Sequence, residues 1–577
     1  MKICLIAIAP IPLAKGTQKI LAPYLLKTYC RNHLEKNSDL VIKIIDVSFD
    51  TPIIETVERI TEFQPDMVGF SMYAWNLRES TELIKALKEK NNHLLILTGG
   101  PSVAYNAEEI LHAYPSIDIV CLEHRRGEIV FTDIVQCLME KKSLNNVMGI
   151  VFRSDNQQIV KTGPVEDQID FSIENSPYIM GDIDMNDDDG SYIITLETSR
   201  GCPFDCGYCL WGSQNQHLDF LPIERVLEEI KLIYNDPRVT MVLFADSYMS
   251  LKKSRLMKIL TFMEEQKYFS DILTRMYLHI DSIDGEITMK LSRIPNFELS
   301  FGLQTAHMES LLRISTKRPL PQRFRDKIAE MRKVLPNIAF TLDIMMGLPG
   351  DNLEGFKETL NFCLSLEPKR LYTFYPIILL PGTRFYKERH LFTLQSNEND
   401  VDVIVCTEDF PVAAIEKALR LTLWIQILTY NYKAIGQFFY AVCREANANL
   451  NRIDLMEKWL QEIEKEIDLF DDKNLHKAAL VSAETWARVK GLVIEKAASF
   501  EVGYKIYSVI YSLHKGNTLD LFKRTIEPGM KIYSYCLEKK YVVTARETRQ
   551  LILTQFNHDY TVDEIDDLFC IGISKPK

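Results

Sequence analysis

Over the first two thirds of the chain, short unbroken apolar runs alternate with longer stretches in which apolar residues recur every three or four positions. Runs at 3–9, 41–47, 67–71, 94–97 and 117–122 have the length and β-branched content of strands, whereas 77–89 has helical spacing. Five such repeats predict a doubly wound, Rossmann-like α/β sheet over residues 1–150. Residues 151–190, with a loose hairpin and the acidic run Asp187-Asp188-Asp189, read as a connector. A second α/β series occupies 191–390, with strands at 192–199, 241–244, 275–279, 298–302, 339–345 and 372–377 and an amphipathic helix at 223–234. From 391 to 577 the spacing is mainly helical, at 412–432, 435–444, 455–470 and 478–496, and a short capped helix is expected at 561–568.

Doubly wound sheets bind ligands beyond the carboxyl ends of their strands, so the chemistry of those loops matters. They hold Pro10, then Ser71, Tyr73, Trp75 and Asn76, then Gly99-Gly100-Pro101, and finally Arg126-Gly127-Glu128 at a helix start. Two adjacent glycines let a ligand approach the backbone, and Tyr73 and Trp75 offer flat apolar faces. Arg125 and Arg126 place positive charge where either a ligand's polar rim or solvent would meet it.

With 577 residues, 46% hydrophobic and 25% charged, the chain has room for two or three globular domains. The net charge of −12 argues against a nucleic-acid surface, since phosphate binding favours a basic field. No stretch approaches the roughly twenty apolar residues of a membrane span, and a cytoplasmic location is expected. Nine of the twelve cysteines are scattered without paired spacing and read as buried thiols.

The other three lie in Cys202-Pro-Phe-Asp-Cys206-Gly-Tyr208-Cys209, and their spacing suits three irons of a [4Fe–4S] cubane, leaving one iron free. A zinc knuckle is the competing reading, because His217 follows and spacing alone does not close it. The loop sits between an expected strand and an expected helix. Here the chain resembles the radical S-adenosylmethionine (radical SAM) superfamily, in which an aromatic residue, here Tyr208, precedes the last cysteine and the free iron chelates SAM. The resemblance implies a partial (β/α)6 barrel and cleavage of SAM to a 5′-deoxyadenosyl radical. It continues in Gly302-Leu-Gln304-Thr, Gly347-Leu-Pro-Gly and Pro381-Gly-Thr, which occur in the family's order. It places Asp246 and Gln304 at the SAM or substrate site as the strongest catalytic candidates, ahead of Glu197, Arg275 and His279.

The first domain is similar to the B12-binding domain found in one branch of that superfamily. Its resemblance rests on Gly69 to Asn76, Gly99 to Pro101 and Gly127-Glu128-Ile-Val-Phe131. The Asp-x-His-x-x-Gly signature that supplies a histidine to cobalt is absent, so no lower axial ligand is assigned. The implied cofactors are a [4Fe–4S] cluster, SAM and cobalamin. The implied partners are a small-molecule or peptide substrate and an external one-electron reductant of the flavodoxin or ferredoxin type, without nucleic acid or membrane. The implied activity is methylation of an unactivated carbon; the alternatives are a B12-linked rearrangement or cyclisation, and a non-catalytic cobalamin or SAM sensor.

Overall fold

A computed structural model describes residues 1–10, 17–34, 39–49, 51–122, 126–183, 191–212, 218–265, 272–315, 318–393, 395–397, 403–446, 450–470, 492–515 and 522–538. The N-terminal strands are β1 (Lys2–Ala9), β2 (Thr17–Lys19), β3 (Val41–Ser48), β4 (Met67–Ser71), β5 (Leu95–Gly99), β6 (Ile119–Cys121), β7 (Ile150–Arg153) and β8 (Ile159–Lys161). Seven of them form one sheet in the order β3-β1-β4-β5-β6-β7-β8, parallel through β6 and antiparallel beyond it. Seven of the eight residues of β1 are buried, as a strand covered by helices on both faces requires. The order reverses between β1 and β4, and the loops after these two strands therefore flank the crevice where such sheets take ligands. The hairpin β7–β8 belongs to this sheet, so the sheet runs on to Lys161 and past the expected limit at 150.

The second sheet is built from β9 (Tyr192–Leu196), β12 (Val239–Phe244), β13 (Leu273–Tyr277), β14 (Phe297–Gln304), β15 (Phe340–Met346) and β16 (Arg370–Pro376), all parallel and joined by helices. Between β9 and β12 lie the short strands β10 (Ser199–Gly201) and β11 (Leu218–Phe220). The helix Ile223–Tyr234 buries Val226, Ile230 and Ile233 on one face, matching its expected limits. The order is β16-β15-β14-β13-β12-β9-β2. The last member was not expected: β2 leaves the N-terminal unit and pairs Thr17, Gln18 and Lys19 with Tyr192, Ile193 and Ile194. Lys19 is buried there because its ammonium meets Asp46 at 2.9 Å and lies over the Tyr192 ring at 5.4 Å, while Tyr24 also donates to Asp46.

The helix Leu21–His33 stitches the two units. Its first turn buries Leu21 and Tyr24 in the barrel core, and Tyr29 and Cys30 enter a core of the first sheet. Buried Asp182, in the connector, receives Thr28 Oγ1 at 2.8 Å and Arg31 Nη1 at 2.7 Å from the same helix. The helices Val412–Gln426, Lys433–Glu445, Arg452–Glu466, Phe500–His514 and Glu527–Glu538 pack on the barrel through Trp424, Phe438, Phe439 and Trp459. These aromatics are core, as their spacing implied. The helices expected at 478–496 and 561–568 lie largely or wholly outside the described residues.

Candidate active site

Beyond β9 the chain runs Glu197-Thr198-Ser199-Arg200-Gly201 into the cysteine loop, and β10 pairs antiparallel with β11 to close the loop at its base. Asp246, at the end of β12, clamps this entry. Its carboxylate accepts the Thr198 N–H at 3.1 Å, Thr198 Oγ1 at 2.7 Å and Ser199 Oγ. Ser247 Oγ donates to the Gly201 carbonyl at 2.7 Å, and Arg255 donates to the Thr198 carbonyl at 3.1 Å. The far side is held by Gly207 N–H to the Ile314 carbonyl at 3.1 Å and Phe385 N–H to the Gly207 carbonyl at 2.9 Å. Gly212 makes the closure possible, since a Cβ there would stand 1.7 Å from the Phe204 carbonyl oxygen.

Cys202 is buried and Cys206 and Cys209 are half-buried. Burial pushes all three thiols up, Cys209 to about 12, while the Arg318 guanidinium pulls the other way on each. Cys206 also perturbs both Cys202 and Cys209, so the three share one electrostatic pocket. Among the described residues no three metal-ligating side chains are drawn together tightly enough to grip a single ion. A cubane, by contrast, takes one thiolate on each of three separate irons, and bound iron deprotonates the thiols that burial keeps neutral. Three soft thiolate donors in one pocket fit a cubane. His217, the fourth ligand of the competing reading, lies outside the described residues.

Beside the loop is a small cleft lined by Tyr248, His279, Gly302 and Arg318 among others. Phe204 stacks on His279 at 5.3 Å, and Tyr248 meets both rings edge-on. Arg318 is 8% exposed, donates to Tyr248 Oη at 3.0 Å and to the Gly302 carbonyl at 2.8 Å, and keeps a buried Nε without a partner. Gln304 has a left-handed φ of 69° at a register shift in β14, and its amide folds back over Gly302, where a Cβ would come within 2.7 Å of Nε2. Gln304 and Arg318 thus adjoin, a buried cation with a spare donor beside a polar amide. This pair suits the carboxylate and hydroxyl groups of an amino-acid-bearing cofactor such as SAM. Sequence reading passed over Arg318, whose setting in Lys-Arg-Pro-Leu looks like a solvated charge.

Asp246, expected at the SAM or substrate site, lies at the entry to the cysteine loop. It is fully buried, with both oxygens engaged by Thr198 and Ser199, so in this arrangement it has no free face for substrate. Tyr208 packs with Cys206 on Ile314, Leu348, Ile377 and Phe385.

At the crevice of the first sheet, Tyr73 and Trp75 stack with centroids 4.3 Å apart and planes 5° off parallel, and Trp75 is 37% exposed. Asn76 fixes this loop rather than facing out. Its Oδ1 accepts the Tyr73 N–H at 2.8 Å, and its Nδ2 donates to the carbonyls of Ser71 at 3.0 Å and Ile8 at 3.4 Å. Gly100 adopts φ 102°, with a Cβ position 2.6 Å from the Met72 carbonyl oxygen, and Gly99 ends β5. The crevice thus offers a rigid aromatic platform beside glycine backbone, which fits a large planar corrin. Pro10 is exposed at the end of β1, and the loop it starts lies outside the described residues, as does Arg125. Arg126 precedes the helix Gly127–Met139 and donates to the Val165 carbonyl at 2.7 Å, so it serves the connector. Glu128 meets Arg200 of the barrel at 3.0 Å.

Two family models match in the expected order, the B12 binding domain over residues 25–131 and the radical SAM superfamily over residues 196–363. The chain carries a B12 binding domain followed by a radical SAM domain. With both domains present, the protein is a radical SAM enzyme whose domains imply a [4Fe–4S] cluster, SAM and cobalamin as cofactors. It is 23% identical over 390 residues to an uncharacterized methyltransferase of Pyrococcus horikoshii, covering 66% of this chain and 82% of that protein. It is 29% identical over 188 residues to the cobalamin-dependent radical SAM methyltransferase TokK of Streptomyces tokunonensis, covering 31% of this chain but only 27% of TokK. The structure of the cobalamin-dependent SAM radical enzyme OxsB with aqua-cobalamin and SAM superposes with a TM-score of 0.60 at 14% identity, covering 93% of this chain and 84% of OxsB. That similarity is one of fold. Among the described residues no helix is long and apolar enough to cross a membrane.

Proposed function

We propose that this protein is a methyltransferase that places a methyl group from SAM on a poorly activated carbon. When bound, the cluster and SAM supply a hydrogen-abstracting radical and cobalamin carries the methyl group. The observation that carries the reading is the pairing of two prepared surfaces in one chain: the three-cysteine loop beside Arg318 and Gln304, and the Tyr73–Trp75 platform at the crevice of the first sheet. The methyltransferase names of TokK and of the Pyrococcus horikoshii protein support methyl transfer over rearrangement.

The protein's own residues have defined tasks. Cys202, Cys206 and Cys209 hold the cluster, and Asp246, Ser247 and Gly212 fix the loop that carries them. Arg318 and Gln304 hold the SAM carboxylate and ribose side. Phe204, Tyr248 and His279 pack a ring wall that keeps water from the reacting carbon, because a primary radical is quenched by stray hydrogen donors. Tyr73 and Trp75 seat the corrin. The substrate is a small molecule or a peptide, and the electron comes from a flavodoxin- or ferredoxin-type donor.

The test is anaerobic reconstitution with iron, sulfide and hydroxocobalamin, followed by product analysis under strong reductant. Formation of S-adenosylhomocysteine together with 5′-deoxyadenosine is expected, and Cys206→Ala should yield neither. Deoxyadenosine alone, without demethylated SAM, would point to a rearrangement or cyclisation instead.

A further inference from the structure

The cluster loop and the first domain meet at one buried side chain. Arg200 stands two residues before Cys202, with only 12% of its side chain exposed. It donates to Glu197 through Nε at 2.9 Å and Nη2 at 2.7 Å, and to Glu128 through Nη1 at 3.2 Å, with Nη2 also 3.0 Å from that carboxylate. Its guanidinium lies over the Phe171 ring of the connector at 5.2 Å. The fork therefore grips two carboxylates at once, one from the strand that feeds the cluster loop and one from the first turn of the helix Gly127–Met139. Glu128 is 6% exposed, and it follows β6 at the same end of the first sheet as the Tyr73–Trp75 loop that follows β4, the strands between being parallel.

A lysine in place of Arg200 would offer one point charge and no fork. A buried arginine holding carboxylates from two domains has few intermediate arrangements, because moving either domain leaves a charge desolvated and unpaired. We propose that Arg200 is a positioning residue that couples the two cofactor sites: seating of the corrinoid against the first domain is transmitted through Glu128 and Arg200 to the strand bearing Cys202, and cluster assembly is transmitted back. The inference rests on the two implied cofactors and not on methyl transfer, so a failed methylation assay leaves it standing.

Coupling of this kind is reciprocal and is read directly from binding. Hydroxocobalamin affinity is measured anaerobically by equilibrium dialysis, on protein with and without a reconstituted cluster. Wild-type protein should bind about tenfold more tightly when the cluster is present. Arg200→Lys should reduce that factor below about twofold while cluster-free protein keeps its corrinoid affinity. Glu128→Gln leaves Arg200 its fork on Glu197, so it preserves the loop entry should the lysine variant fail to assemble a cluster; it should lose the coupling in the same way. Iron and sulfide contents equal to wild type in Glu128→Gln would separate coupling from simple damage to the loop. Full coupling retained in Glu128→Gln, or equal corrinoid affinity in both forms of the wild-type protein, would overturn the proposal.

Discussion

Asp246→Asn tests what this buried carboxylate does at the loop entry, through stability rather than activity. Burial pushes the Asp246 carboxyl up from 3.8 to about 6, against the pull of its hydrogen bonds from Ser199 and Thr198. The folded protein therefore holds this proton to higher pH than the unfolded chain does, and stability falls as pH rises from about 4 to about 6, then levels off. A shift of about two units corresponds to about 3 kcal/mol. Asparagine carries no titration, so the variant should lack this component. Its amide can keep the existing contacts, with Oδ1 accepting the Thr198 N–H now bound at 3.1 Å and Nδ2 donating to the Thr198 and Ser199 hydroxyls. Wild type and variant should then be nearly equal in stability near pH 4, with the variant more stable above pH 6 by about 3 kcal/mol. Urea unfolding of cofactor-free protein at half-unit pH steps measures the difference, and every other titrating group cancels in it. Parallel stability curves for the two proteins across pH 4–6 would refute the assignment of the proton to Asp246.

The cysteine loop and the first-sheet crevice give three further expectations. Gly212→Ala introduces a Cβ 1.7 Å from the Phe204 carbonyl oxygen, so iron bound after reconstitution should fall at least severalfold while far-ultraviolet circular dichroism is unchanged; wild-type iron content would contradict the closure described for the loop. Trp75→Ala removes the exposed half of a stacked pair worth about 1 kcal/mol, and hydroxocobalamin affinity in equilibrium dialysis should drop about fivefold to tenfold. Gly100→Ala forces a side chain into φ 102° with a contact of 2.6 Å to the Met72 carbonyl oxygen, and should lower the urea midpoint by an amount equivalent to about 2–3 kcal/mol.

The parts of this molecule that the sequence displayed are those with a local physical signature. Unbroken apolar runs disclosed β1 and β4, whose side chains are buried on both faces, and the three-four spacing of the helix Ile223–Tyr234 disclosed its limits. The cysteine loop was legible because iron ligation needs particular atoms at particular intervals. What escaped depends on distant partners. Thr17-Gln18-Lys19 has neither alternation nor apolar content, and it becomes a strand only because Tyr192–Ile194 offers an open edge and Asp46 neutralises Lys19. Glu527–Glu538 opens on Glu-Pro-Gly, which locally reads as a turn, and its helix is secured by packing on Phe500–His514 through Tyr507 and Tyr533. Asp246 was placed at the SAM or substrate site by resemblance; its burial under Thr198 and Ser199 depends on partners 47 and 48 residues away. Glu128 was read as a cofactor contact on local grounds, while its partner Arg200 lies 72 residues away.

The placement of β2 has a consequence for how the chain is made. Its pairing partner β9 begins at Tyr192, about 175 residues downstream of Thr17, so the two cannot meet until the entire first sheet and the connector have left the ribosome. At about 5–20 residues per second this delay is about 10–35 s. For that interval the first sheet can be complete while β2 hangs from it as an unmatched ribbon, and the nascent barrel closes by docking on an element supplied in advance by its neighbour. Expression of the barrel from residue 191 onward would strip that edge from β9 and expose its backbone to intermolecular pairing. The two halves are accordingly one heritable unit, separable in a diagram but not by a pair of scissors placed between them.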